Sequence, residues 1–187
     1  MATLITRQNY TVDNVPVGLI DHLPVNVRQY NELVNDVNVG GSFYSTLNQA
    51  VAAINTAYVA SLSTTVYATG MSIDGTSKII TVNSAGTYSF DYTMQVNKNE
   101  IITSPGNFTA WLTVNGTAQA YTANRLGFAT TNADLVLTLH THLVLNAGDQ
   151  VSLNYAADYT ALSLKTTAAS APYPAIASIS LEVDKVR

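Results

Sequence analysis

The sequence predicts an all-β domain, a sandwich or barrel, preceded by an extended and partly helical arm. From about Leu62 onward, short stretches with period-two apolar alternation follow one another with turn residues between them, the pattern of packed antiparallel strands. The first two dozen residues place Pro16, Gly18 and Pro24 between short β-prone pieces, which reads as an arm with little core of its own. Between these regions, Val37 to Ile73 contains no charged side chain.

In the arm, Asn26 is placed after Pro24 to cap a helix, and Val27, Tyr30, Val34 and Val37 then fall on one helical stripe. Gly40-Gly41 is expected to break the chain. Tyr44, Leu47, Val51, Ile54 and Tyr58 step by three and four, predicting a second short helix or stalk. Its alanines support helix by propensity, whereas Val59 to Tyr67 turns β-branched and is expected to be extended. The division this predicts is an arm with short helices over residues 1–60 and a β domain over 61–187.

Within the β domain, Asp74-Gly75 predicts a turn before a strand containing Ile79 to Val82. VNSAGTYSFDYTM follows, with Tyr88, Phe90 and Tyr92 projecting from one face of a strand. NFTAWLTVNG ends in Asn115-Gly116, a hairpin signal. In ADLVLTLHTHLVLNAGDQVSLNYAAD, Leu135, Leu137, Leu139, Leu143 and Leu145 share a face, Asn146 to Asp149 forms a turn, and Val151 and Leu153 resume the alternation. The last strand carries Ala177, Ile179, Leu181 and Val183 on one face.

Composition narrows the function. The 187 residues are 47% apolar but only 11% charged, against roughly 25% charged in average globular proteins. So few charges are best tolerated where partner subunits cover much of the surface. The net charge of −4, without any run of Lys or Arg, argues against nucleic acid and anionic membranes as partners. No stretch has the roughly 20 consecutive apolar residues of a membrane span, and no secretory signal is visible at the start. Assembly inside a cell is the expectation. Cys is absent, which removes disulfides, thiolate catalysis and Cys-type zinc sites.

Candidate chemistry is sparse. His140 and His142, two apart in a strand, point to the face opposite the leucines. They are either two metal ligands or part of a polar, subunit-facing surface; no third ligand is signposted, which favours the second reading. His22 reads as a plain arm residue. No GxSxG elbow, phosphate-binding glycine loop or calcium loop occurs. Asp91, Glu100, Asp134, Asp149 and Asp158 are scattered, and Asp149 fits a turn whose amides it would bind. The expectation is a non-enzymatic protein without cofactors. The sequons at Asn9, Asn107 and Asn115 read as chance in a Thr-rich chain. Trp111, Tyr121, Tyr155, Tyr159 and Tyr173 would stack on sugars if exposed, though such residues are usually core or interface.

Three stretches in order, IITVNSAGTYSFDYTM, AWLTVNGTA and LHTHLVLNAGDQVSL, resemble the jelly-roll superfamily of complement globular heads and tumour-necrosis-factor ligands, which includes many bacterial and phage proteins. Ala85, Gly86 and Tyr88 match its small-Gly-x-Tyr turn, Asn115 and Gly116 its strand-ending Asn-Gly, and Gly148 and Asp149 its Gly-Asp turn. The resemblance covers roughly Thr65 to Val186. It implies a tumour-necrosis-factor-like jelly roll that associates as a homotrimer and acts without catalysis.

The arm, in place of a collagen stalk or membrane anchor, resembles the attachment segments of phage head-decoration or head-fibre proteins. That likeness implies a bacteriophage structural protein, made in the host cytoplasm and carried on the capsid surface, with itself and a major capsid or other virion protein as partners. Tyr30, Leu33, Val34, Val37, Leu47, Val51 and Ile54 are then the anchor or stalk candidates, and His140 and His142 the subunit-facing ones. The alternative is a carbohydrate- or receptor-binding module, a fibre tip or bacterial surface lectin, with host glycans as ligands.

Overall fold

A computed structural model describes residues 39–98, 105–129 and 133–186. Their strands, in chain order, are β1 (Gly40–Ser45), β2 (Gln49–Ala50), β3 (Tyr58–Val59), β4 (Thr64–Thr69), β5 (Met71–Ile73), β6 (Ile80–Val82) and β7 (Gly86–Lys98). They continue with β8 (Gly106–Val114), β9 (Thr117–Ala118), β10 (Asn124–Phe128), β11 (Ala133–Leu145), β12 (Gln150–Ala157), β13 (Leu162–Leu164) and β14 (Ile179–Lys185).

The pairing is antiparallel throughout and forms two sheets. In the first, the order is β11-β7-β14-β1-β4. Because β11 runs along all of β7, β14 and β13 share β7's other edge, at Tyr88 to Met94 and Val96 to Lys98, and β2 extends β13. The second sheet runs β10-β8-β12-β6-β5, with β9 and β3 as short additions. Each sheet thus has five principal strands, and the chain passes repeatedly from one sheet to the other, among the principal strands at β4 to β5, β6 to β7, β7 to β8, β10 to β11 and β11 to β12. Two such sheets face to face make a jelly-roll sandwich, as the resemblance implied.

The period-two stripes meet in the middle. Tyr88, Phe90, Tyr92, Met94 and Val96 of β7 are buried, as are Ile179, Leu181 and Val183 of β14, against Phe108, Ala110 and Leu112 of β8 and Val151, Leu153 and Tyr155 of β12. Asn115-Gly116 forms the expected hairpin turn: both residues have positive φ, 50° and 78°, as a two-residue primed turn demands. Between β10 and β11, Asn124 Nδ2 donates to the Thr138 carbonyl at 2.8 Å, joining the sheets along one side.

The segment before residue 61 departs from expectation. Tyr44 to Tyr58 forms no helix; β1, β2 and β3 occupy it, and the sandwich therefore includes residues that the sequence pattern assigned to the arm. Pairing decides this, since β1 hydrogen-bonds to β14 on one edge and β4 on the other, and tertiary contacts override helix propensity. Gln49 adds to it by using its side-chain amide like a strand, donating to Ser61 O at 3.0 Å and accepting from Ser61 N at 2.8 Å. Gly40 and Gly41 do not break the chain but open β1. A Cβ at Gly40 would lie 2.6 Å from Asp184 Oδ1, and one at Gly41 2.7 Å from the Phe43 ring, so close approach accounts for both.

The loop between β5 and β6 is organised by one carboxylate. Asp74 accepts the amides of Lys78 at 2.7 Å and Ile79 at 2.8 Å, together with the Thr76 hydroxyl and amide. The Thr76 hydroxyl first, then these amides, hold its pKa at about 2. The folded value lies below the ordinary one, so the stabilisation is complete above about pH 4 and is lost as pH falls through about 2. Wild type should exceed Asp74→Asn in stability at pH 6, and the gap should close between about pH 4 and pH 2 in denaturant titrations.

Candidate interaction surfaces

Alternation along β11 fixes which residues face outward from the first sheet. Leu137 and Leu145 point into the core, with Leu139 and Leu143 packed at its margin, so Val136, Thr138, His140, His142 and Val144 line the outer face. The two imidazoles share that face as the sequence spacing required, meeting edge to face with centroids 4.8 Å apart. His140 Nδ1 lies 2.6 Å from Asp91 Oδ1 on the neighbouring β7, which the register places directly opposite. Ser89 Oγ donates to the other Asp91 oxygen at 3.2 Å.

Further across the sheet, Glu182 of β14 accepts from Ser42 Oγ at 2.6 Å, and Asp184 follows two residues on. Three carboxylates therefore share this face with two imidazoles. Among the described residues no group of three or more His, Asp or Glu is arranged to hold a metal ion.

The same sheet ends in an unusual edge. In β4, Thr65 to Thr69 are exposed, with Val66 at 62% and Tyr67 at 45%, and none of its six residues is charged. Among the described residues only β1 pairs with it, and none of them pairs with its other edge. Proteins normally blunt such an edge with Lys, Pro or a bulge turned away from solvent. The register shift between Ser42 and Phe43 leaves Val66 as an extra residue in β4, a bulge in the edge strand that presents this valine to solvent. Tyr67 has its pKa raised, first by burial of the hydroxyl and then by Asp184 and Glu182, so it remains a neutral hydrogen-bond donor. At the opposite edge of the sheet Val144 is 83% exposed.

The remaining candidates scatter. Val51 is a core residue, 2% exposed, whereas Leu47 and Ile54 are exposed in the loops flanking β2, so the three share no stalk face. Tyr30, Leu33, Val34 and Val37 lie outside the described residues, as do His22 and Glu100. Asp149 accepts from Asn146 N and Asn115 Nδ2, both at 2.8 Å, and the Asn146 amide foremost holds its carboxyl below the usual range. Asp158 accepts from Asn107 N at 2.6 Å and Asn107 Nδ2 at 2.8 Å. Both carboxylates clasp loops. Among the aromatics, Tyr155 is buried in a stack with Tyr58 and Phe108, Trp111 is half-buried, and Tyr121 and Tyr173 are exposed.

No protein-family model and no curated protein sequence matches the chain. Among solved structures, it is similar to the globular domain of zebrafish complement 1qA protein, at 11% identity and a TM-score of 0.48, covering 80% of this chain and 98% of that one. The assignment to the jelly-roll class rests on the strand order and register described above.

The side chains of His140 and Asp91 are 57% and 51% exposed, so solvent screens their attraction. A double-mutant cycle of His140→Ala and Asp91→Ala in dilute protein should return a coupling below about 1 kcal/mol. A coupling of several kcal/mol would mean that the pair is withdrawn from water.

Proposed function

We propose that the chain is a non-enzymatic bacteriophage structural protein, a homotrimeric capsid decoration or head-fibre protein that attaches to the particle through its N-terminal residues. The observation that carries the self-association is β4: an uncharged six-residue edge strand, exposed on both faces, with Val66 and Tyr67 uncovered. An edge of this kind in a soluble protein is a template for another chain, and burying it in a closed assembly removes the hazard of open-ended aggregation. The low overall charge fits a molecule much of whose surface is covered by copies of itself.

Attachment to a capsid is supported by the arm that precedes the sandwich, which resembles phage attachment segments in design. In this reading residues 1–38, which precede β1 in the sequence, supply the attachment. Three arms on one trimer multiply modest contacts through their shared tether, which is how a small protein holds a particle without a large interface of its own. The partners are a second and third copy of the chain and the major capsid protein or a neighbouring virion protein.

Light scattering after size exclusion should give three times the 19.9 kDa chain mass, and Val66→Lys together with Val144→Lys should lower it to that of one chain. Removing residues 1–38 should leave a trimer that no longer sediments with particles of the encoding phage. A native protein that stays monomeric at about 100 μM, or a truncated one that still decorates particles, would overturn the proposal.

A further inference from the structure

The outer face of the second sheet has a different chemistry. Phe108, Ala110 and Leu112 of β8 point into the core, so Asn107, Thr109 and Trp111 line the outside. Arg125 of β10 sits directly opposite Thr109, and its Nε donates to Thr109 Oγ1 at 3.3 Å. Asn107, Thr109 and Arg125, with Asp158 after β12 and Asn55 from the turn before β3, line one cleft.

This cleft is built and held. Asp158 grips Asn107 through both carboxylate oxygens, and its own amide donates to Asn107 O at 3.2 Å. Asn55 has a left-handed backbone, φ 53°, fixed by its amide bonding to Ala157 O at 2.7 Å. Beneath, Phe108 stacks on Tyr155 and Tyr155 on Tyr58, each pair at 5.6 Å, which makes the floor rigid.

The polar atoms are more than the fold uses. Arg125 is the only guanidinium among the described residues; its one protein hydrogen bond there goes through Nε, and the terminal nitrogens make none. Two residues along the same face, about 7 Å on, stands Trp111, the only Trp of the chain, half-buried. A guanidinium that donates, a carboxylate that accepts, two side-chain amides and a neighbouring indole face are the set that recognises the hydroxyls and the apolar side of a sugar ring. The cation and the carboxylate balance, so the cleft favours a neutral sugar over a charged one.

We propose that the cleft between β8, β10 and the end of β12 is a binding site for neutral saccharides, with Arg125, Asn107 and Asp158 bonding ring hydroxyls and Trp111 stacking on the ring. Thr109 is a positioning residue that aims the guanidinium. The proposal adds recognition to an assembly that uses the other sheet, and it does not depend on that assembly.

Saturation-transfer NMR with the full-length protein, using lactose, maltotriose and 3′-sialyllactose as probes, tests it. At least one of the two neutral sugars should receive saturation. Arg125→Ala should weaken its binding at least ten-fold and Trp111→Ala several-fold, with melting temperatures within a few degrees of wild type. Tyr173→Ala, at an exposed residue that does not line the cleft, should leave binding unchanged. Saturation of 3′-sialyllactose alone, no saturation of any probe, or neutral-sugar binding that survives Arg125→Ala would overturn the proposal. Should Trp111→Ala fail to fold, Thr109→Val serves in its place: it removes the hydroxyl that aims Arg125 and should weaken binding while the fold is retained.

Discussion

The sandwich depends on β7. Over thirteen residues it presents five successive core side chains on one face, and it is paired on both edges, by β11 along its whole length and by β14 and β13 in succession. Its ladder fixes which way β11 and β14 face, because a slip of one residue would turn every side chain of the slipped strand to the opposite face. The register that buries Leu137 and Leu145 is therefore the one that turns His140, His142 and Val144 to the outside. Asp91, between the buried Phe90 and Tyr92, meets His140 for the same reason.

Burial of the inner faces leaves two outer faces, and they differ. The first sheet shows imidazoles, a few carboxylates and an uncharged, half-paired edge strand. The second holds a clasped polar cleft with the one guanidinium of the described residues. A division of labour follows from physical chemistry: backbone edges and scattered apolar groups suit contacts with copies of the chain, while fixed donors and acceptors in a rigid cleft suit a small polar ligand. The core between the sheets connects them mechanically, and its buried polar groups bond internally, as Tyr92 Oη does to the Ala110 and Thr122 carbonyls and Thr122 Oγ1 to the Leu112 amide.

Much of the fold was legible in the sequence because strand signals are local. The alternation in Tyr88, Phe90 and Tyr92, the Asn115-Gly116 turn and the leucine stripe of β11 each state their geometry within a few residues, and the side on which His140 and His142 lie follows from the same counting. The stretch from Tyr44 to Tyr58 misled because a three-and-four stripe is also what an irregular β segment with short loops can produce by chance. Only pairing with β14 and β4, far away in sequence, decides it. The cleft was invisible for a related reason: Asn107 and Asp158 are 51 residues apart, and Arg125 carries no local motif. Asp158 was legible as a lone carboxylate, but not as half of a clasp.

The central claim is that another copy of the chain covers the edge of β4. Hydrogen exchange of the Thr64 to Thr69 amides in the full-length protein, followed by mass spectrometry over a hundred-fold range of concentration, tests it most directly. If copies cover the edge, protection of this peptide rises with concentration and is lost in Val66→Lys, while that of β7 stays constant. Exchange of β4 that is fast and independent of concentration would contradict the account.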